Sequence, residues 1–163
     1  MGREAVETAR PLCFPHHRRH RRDPMGLDAS QMMELLRNSQ TIAVVGISAK
    51  EDRPSHRVAA YLQRVGYRII PVNPGLKELL GETCYPTLEA IPQEIPVDIV
   101  DVFRAADQTP PIAQEAVKIG AKAFWLQSGI LSEESMTIAR QAGLTAVQDL
   151  CLMVEHRAVA DRL

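Results

Sequence analysis

Two short apolar runs limit what this chain can fold into. They are Thr41–Ser48 (TIAVVGIS) and Tyr67–Pro74 (YRIIPVNP). Both are rich in β-branched residues and end in loop-forming residues, which is typical of strands buried on both faces of a parallel sheet. Between them, Pro54–Gly66 has a polar start and a glycine stop, and it predicts a short helix. Such a strand–helix–strand unit presents backbone N–H groups to phosphate, so we expect a nucleotide-bearing ligand.

The rest of the chain continues this alternation. An earlier helix is expected with Asp28 or Ser30 as its N-cap. After the second run we expect a loop with an ordered piece at Thr83–Tyr85 and then a helical turn at Leu88–Ile91. The further predicted strands are 97–103, 121–126 and 144–147, and the further predicted helices are 110–120, 132–142 and 152–160. This pattern predicts an α/β fold, a Rossmann-like, doubly wound five-stranded parallel sheet in a three-layer α/β/α arrangement. We expect the strand order 3-2-1-4-5, with ligand at the carboxyl ends of the strands.

Composition favours a single globular domain. The chain has 163 residues, 45% of them hydrophobic and 24% charged. The 4% aromatic content makes nucleic-acid binding a poor expectation, and no apolar run reaches the roughly twenty residues that span a bilayer. Cys13, Cys84 and Cys151 have neither metal-ligand spacing nor the even count of a disulfide framework. We therefore expect a cytoplasmic protein without a metal site.

The first 24 residues differ in net charge from the rest of the chain. Residues 1–24 hold six arginines and three acidic residues, while the remainder carries a net charge of −4. We expect residues 1–24 to be a disordered basic leader, with Met25 as an alternative native start, and residues 25–163 to form the domain. Because that domain is mildly acidic, affinity for a phosphorylated ligand must come from locally placed cations.

The loop after the first strand carries groups suited to phosphate. Gly46 permits a tight turn and a close backbone approach. Ser48 and Ser55 offer hydroxyls, Lys50 and Arg53 offer cations, and Ser55 is also a candidate N-cap of the next helix. The glycines of a dinucleotide fingerprint are missing, so a helix cap beside a solvated charged loop is the structural alternative.

Two further loops follow the second and third strands. Asn73 and Pro74 form a turn, and Lys77 follows where an NAD site would carry an acidic residue for the ribose. Phe103 is suited to packing against adenine or a pantetheine arm, with core packing as the alternative. Arg104 is suited to pyrophosphate, and a surface salt bridge is equally common for arginine.

The fourth strand ends in Gln127–Gly129, which offers amide and backbone groups at the same edge. Trp125 precedes them, and core packing is its favoured role. No catalytic constellation is recognisable: His56 lacks partners of known spacing, His156 is expected on a solvated helix face, and Cys151 is expected to be buried and inert or near the crevice. The residues predict a binding site and no enzyme.

A specific resemblance supports this prediction. Over residues 28–158 the chain resembles the small stand-alone CoA-binding-domain proteins of bacteria and archaea. These are similar to the CoA-binding Rossmann-type domain of the succinate–CoA ligase α subunit and of NDP-forming acyl-CoA synthetases. The runs that carry the resemblance are TIAVVGIS, RPSHRVAAYL, GYRIIPVNP, LGETCYPTL, VDIVDVFR, IGAKAFWLQSGI and AGLTAVQDLC.

The resemblance implies a site for coenzyme A or an acyl-CoA on the loops described above. Its contacts carry over to Gly46, Ile47, Ser48, Ala49 and Lys50 with Arg53 and Ser55 close, to Lys77 or Leu76, and to Trp125, Leu126 and Gln127 with Ser128 and Gly129 adjoining. Two departures stand out. Ser128 replaces a residue that is often apolar, and the stretch 149–152 reads Asp-Leu-Cys-Leu where the family commonly has Asp-Arg-Cys-Pro.

Three functional hypotheses follow. The first is non-catalytic binding of coenzyme A or an acyl-CoA, because the phosphorylated histidine of the larger ligases lies in a domain that this sequence does not contain. The second is an NAD(P)-binding oxidoreductase or redox sensor on the same fold. The third is a regulatory module that acts through a homodimer or a protein partner.

Overall fold

The computed structural model describes residues 27–163. The predicted basic leader 1–24 and the alternative start at Met25 lie outside the described residues. Within the described part, no helix is long and apolar enough to cross a membrane.

The core of the fold is a five-stranded parallel sheet. Its strands are β1 (Thr41–Val45), β2 (Arg68–Val72), β5 (Ile99–Val102), β6 (Ala123–Leu126) and β7 (Thr145–Val147). They stand in the order β2-β1-β5-β6-β7, and every neighbouring pair is parallel. The predicted fold class, a doubly wound parallel sheet of five strands, is confirmed.

The predicted strand order 3-2-1-4-5 is wrong. Numbered along the chain, the five strands stand in the order 2-1-3-4-5, because β5 pairs with β1 and not with β2. Both orders satisfy right-handed crossovers, and strands that are apolar on both faces carry no signal that selects their neighbours. The order therefore reverses between β1 and β5, and the ends of these two strands meet where a ligand is expected.

Helices cover both faces of the sheet. One face carries α1 (Ala29–Asn38), α2 (Pro54–Arg64) and α5 (Leu152–Val159), which pack on one apolar cluster. The other carries α3 (Thr109–Lys118) and α4 (Glu133–Gln141), which pack on a second cluster. Short 3₁₀ turns precede α3 and follow α5. Alternate residues of each strand enter the two clusters, which explains the unbroken apolar runs in the sequence.

The long connection from β2 to β5 differs from its prediction. Residues 73–98 contain a two-stranded hairpin of β3 (Glu78–Leu79) and β4 (Glu82–Thr83), where we expected one ordered piece at Thr83–Tyr85. The expected helical turn at 88–91 is a single turn closed by the hydrogen bond from Ile91 N to Leu88 O, 3.1 Å. These strands are too short to produce a periodic pattern, so the sequence signal was absent.

Candidate functional site

The C-terminal edge of the sheet, where its parallel strands finish, brings the predicted loops together. A crevice of about 430 Å³ opens there between the ends of β1, β2 and β5 and the start of α3. Val45, Val72, Leu88 and Ile112 provide much of its apolar wall. Among the predicted site residues, Gly46, Pro74 and Arg104 line this crevice.

Gly46 is required by the packing of this edge. Its φ is +81°, and a Cβ at this position would overlap the carbonyl oxygen of Phe103 and lie 2.8 Å from Cδ of Arg104. The Gly46 N–H donates to Val72 O at 3.0 Å. The strand end can therefore approach its neighbours this closely only without a side chain.

Hydrogen bonds shape the loop from β1 to α2. Ser55 is buried, and its Oγ accepts from the N–H of Ser48 at 3.0 Å. Ser48 O lies 3.0 Å from Nδ1 of His56, and Ser48 Oγ accepts from the N–H of Lys50 at 3.1 Å. Asn73 joins the second loop to the first, because its Nδ2 donates to Ile47 O at 2.8 Å.

The start of α2 lacks a side-chain cap. The candidate cap Ser55 lies inside the first turn; Arg53 occupies the N-cap position and makes no capping bond. Lys50 and Arg53 are both exposed, as is Ala49 beside them. No carboxylate in residues 27–163 lies within ion-pair distance of either cation. This end of α2 therefore combines a positive helix terminus with two unpaired cations.

The second and third strand loops contribute differently. Lys77 is exposed at the start of the β3–β4 hairpin and does not line the crevice, and its carbonyl accepts from Cys84 N at 2.9 Å. Phe103 is half-buried and packs beside the core on the α1–α2–α5 face. Arg104 is exposed and donates from Nε to Gln108 Oε1 at 3.1 Å.

The fourth strand contributes less side-chain surface than the resemblance implies. Trp125 and Leu126 are fully buried, and Trp125 Nε1 donates to Leu150 O at 2.7 Å. An apolar ligand arm therefore has no access to the indole ring. The exposed groups of this loop are those of Ser128 and Gly129.

Asp101 lies near the C-terminal edge of the sheet, and the sequence analysis did not single it out. It is fully buried in β5, and its Oδ1 accepts from Gln127 Nε2 at 2.6 Å while Oδ2 has no partner within the described part of the chain. Burial raises the pKa of Asp101 from 3.8 to about 7, although the bond from Gln127 opposes this. In the sequence, its position inside the apolar run 97–103, which also holds Asp98, was the one signal that pointed to it.

His156 and Cys151 lie away from the crevice. The prediction of a solvated His156 is wrong: it is buried, with Nδ1 2.7 Å from the Tyr61 hydroxyl, and burial lowers its pKa. Cys151 is half-buried and lines a larger groove of about 740 Å³ between α2 and α5, together with His56. This groove runs along the outside of two helices and does not contain the strand ends.

No group of three or more His, Cys, Asp or Glu side chains suited to a metal ion occurs in the part of the chain that the structure describes.

Comparison with known proteins identifies the family. The sequence model of the family described as CoA binding domain matches residues 40–157, from just before β1 to the last turn of α5. The chain belongs to the CoA binding domain family. The matched segment contains every loop of the C-terminal edge, so the family assignment and the crevice concern the same part of the molecule.

Relatives of this CoA binding domain are both small proteins and parts of larger ones. The uncharacterized protein YneT of Bacillus subtilis is 42% identical over 127 residues, which are 78% of this chain and 93% of that protein. The solved structure of cell-free ID.343 from Thermus thermophilus is 37% identical, with a TM-score of 0.78, and the match covers 82% of this chain and 99% of that one. Acetate–CoA ligase [ADP-forming] I of Archaeoglobus fulgidus is 25% identical over 138 residues; these cover 78% of this chain but 20% of the ligase.

Proposed function

We propose that this protein binds coenzyme A or an acyl-CoA at the C-terminal edge of its sheet and performs no reaction on it. The observation that carries the proposal is the family match over residues 40–157, which contains the loops that surround the crevice. We further propose that the protein is cytoplasmic.

The start of α2 is suited to the pyrophosphate. The helix has no side-chain cap, and Lys50 and Arg53 stand exposed beside it. Backbone N–H groups at a helix N-terminus favour anions, and charge-assisted hydrogen bonds contribute about 1.5–3 kcal/mol each. Arg104 adds a guanidinium at the end of β5, and Lys77 adds an exposed cation that we assign to a phosphate farther along the ligand.

The crevice is suited to an apolar or aromatic part of the ligand. Its wall combines aliphatic side chains of β1, β2 and α3 and the side chain of Leu88 with Pro74 and Pro86. We assign the contacts of the first loop to Gly46–Lys50, and the contacts of the fourth loop to the backbone of 125–129 and the hydroxyl of Ser128. Phe103, which is half-buried, is the aromatic side chain that we assign to the pantetheine arm.

A thermal titration of the full chain tests this proposal. The melting temperature is measured with increasing coenzyme A, acetyl-CoA, NAD and NADP. We expect a saturable rise with the CoA species alone, because a ligand that binds only the folded state stabilises it by mass action. We expect no rise with NAD, since the predicted ribose position holds Asn73 and Lys77 in place of a carboxylate. A rise with NAD or NADP alone would favour the oxidoreductase hypothesis.

The non-catalytic part of the proposal needs its own assay. Acetyl-CoA is incubated with the protein, and free thiol is followed over time. We expect the rate of thiol release to equal that of buffer, and a protein-dependent release would show that the chain is an enzyme.

A further inference from the structure

The loop between β6 and α4 is held by the residues that follow β7. The N–H of Gly129 donates to Oδ1 of Asp149 at 2.6 Å, and the N–H of Asp149 donates to Ile130 O at 3.2 Å. Beside them, the N–H of Ser132 donates to Oε1 of Gln148 at 2.9 Å. Asp149 thus contacts the tip of the loop through both its side chain and its backbone.

The backbone of Asp149 is strained. Its φ is +57°, and Leu80 is the other non-glycine residue with positive φ within 27–163. Glycine adopts this region most readily, and Asp and Asn adopt it more readily than other residues. A glycine at position 149 would remove the strain together with the carboxylate, so the side chain that is present supplies the acceptor for Gly129.

The tip of this loop is the part that can reach a ligand. Leu126 and Gln127 are buried, and Gln127 Nε2 donates a hydrogen bond to Asp101 Oδ1. Ser128 and Gly129 are exposed above them. The direction of the peptide between these two residues therefore depends on the bond from Gly129 to Asp149.

We propose that Asp149 is a positioning residue of the coenzyme A site. Its carboxylate fixes the Ser128–Gly129 peptide in the orientation that meets the ligand, and it does not touch the ligand itself. A carboxylate in direct contact with a phosphorylated ligand would repel it, whereas this one accepts a hydrogen bond from the loop. The inference rests on the proposed function, because it concerns the affinity of that site.

Two substitutions separate the acceptor from the backbone conformation. Asp149→Asn keeps an acceptor oxygen and tolerates the left-handed conformation; Asp149→Gly keeps the conformation alone. The dissociation constant for coenzyme A is measured by calorimetry, and the melting temperature is recorded for each protein. We expect Asp149→Asn to bind within about twofold of wild type and Asp149→Gly roughly fivefold to tenfold more weakly, at similar melting temperatures.

Equal affinity of wild type and Asp149→Gly would overturn the inference, as would an equal loss in both variants, which would assign the effect to the charge. A second measurement needs no ligand. Amide hydrogen exchange of Gly129 should be faster in Asp149→Gly and unchanged in Asp149→Asn, and unchanged exchange in both would also overturn it. Failure of the wild type to bind coenzyme A is a separate result that removes the proposed function, and exchange at Gly129 then still decides whether Asp149 holds the loop.

Discussion

Asp98 and Asp101 stand three residues apart near opposite ends of β5, and their surroundings differ completely. At the N-terminal edge, where the strands begin, Asp98 Oδ2 accepts from the N–H groups of Gln40 and Thr41 at 2.8 and 3.0 Å, and Oδ1 pairs with Lys122 at 3.1 Å. Burial alone would raise the pKa of Asp98, but these bonds outweigh it and the pKa is lowered. Asp101, near the C-terminal edge, has Gln127 as its one hydrogen-bond partner within the described residues, and burial raises its pKa to about 7.

The backbone also differs between the two edges. At the N-terminal edge, Gly120 and Gly143 have open space beside them, whereas Gly46 at the C-terminal edge packs against the Phe103 carbonyl. Among the described residues, the start of α2 at the C-terminal edge has no side-chain cap, and Asp149 at the same edge has a positive φ. Departures from local rules are expected where a protein binds a ligand, because stability there is not the only requirement. This contrast supports the proposal that the ligand binds at the C-terminal edge.

Glycine substitutions should give the largest contrast between the edges. Gly46→Ala places a Cβ against the Phe103 carbonyl at positive φ, so we expect a loss of about 3–5 kcal/mol in the free energy of unfolding and loss of coenzyme A binding. Gly143→Ala at the other edge meets no atom within 4 Å and should cost about 1 kcal/mol. Urea denaturation measures both variants. Similar costs at the two positions would contradict the close approach at Gly46.

The two aspartates should respond to asparagine in opposite directions. Asp98→Asn loses the ion pair and weakens two charge-assisted bonds, so we expect a loss of about 1–2 kcal/mol at pH 7. Its carboxyl has a lowered pKa, so this contribution is present at neutral pH and is lost as the pH falls through the folded-state pKa. Urea denaturation at pH 7 and at pH 3 measures it. An unchanged cost at pH 3 would contradict an ionised Asp98.

For Asp101 the stability changes with pH in the opposite direction. A carboxyl whose folded-state pKa is about 7 and whose ordinary value is 3.8 destabilises the folded state progressively as the pH rises between these values. Asp101→Asn removes this dependence, so its free energy of unfolding relative to wild type should rise by roughly 2–3 kcal/mol from pH 5 to pH 8. Denaturation at both pH values measures the change, and a flat difference would show that Asp101 is ionised throughout.

The sequence was sufficient to predict the fold class, because the signals for its strands and helices are local and repeated. Apolar β-branched runs, the N-cap candidate Asp28 and the glycine after α2 each predicted an element that is present. Strand order was not predictable in this way, because strands that are apolar on both faces carry no signal that places β5 beside β1 and not beside β2. The hairpin of β3 and β4 was missed because two residues per strand give no periodicity.

The sequence predicted which loops meet at the candidate site, but not which of their side chains are exposed or in contact with one another. Placing Gly46, Asn73, Arg104 and Gln127 at one edge followed from parallel strands, whose ends must meet there. Which side chains are buried did not follow: Trp125 is in the core, and Asp149 acts on a loop twenty residues away in sequence. These contacts depend on the packing of loops from non-adjacent segments, for which a single sequence has no local signal.

Substitution of His156, which lies toward the N-terminal edge, should have the smallest effect on stability. Burial lowers its pKa below the ordinary 6.5, so the stability it contributes is present above that value and decreases as the pH falls below it. The variant His156→Phe should lose this dependence between pH 5 and pH 6.5. Thermal melts of both proteins across that range measure it, and parallel curves would contradict a buried neutral imidazole.

Calorimetric titration of coenzyme A into three proteins tests the central claim most directly. They are the wild type, Lys50→Glu with Arg53→Glu at the C-terminal edge, and Arg64→Glu with Arg140→Glu, in the last turns of α2 and α4 at the N-terminal edge. Both double variants change the net charge equally. We predict saturable binding to the wild type and to the N-terminal-edge variant, and affinity lower by at least about tenfold for the C-terminal-edge variant. Equal weakening in both variants, or no binding to the wild type, would contradict a coenzyme A site at the C-terminal edge.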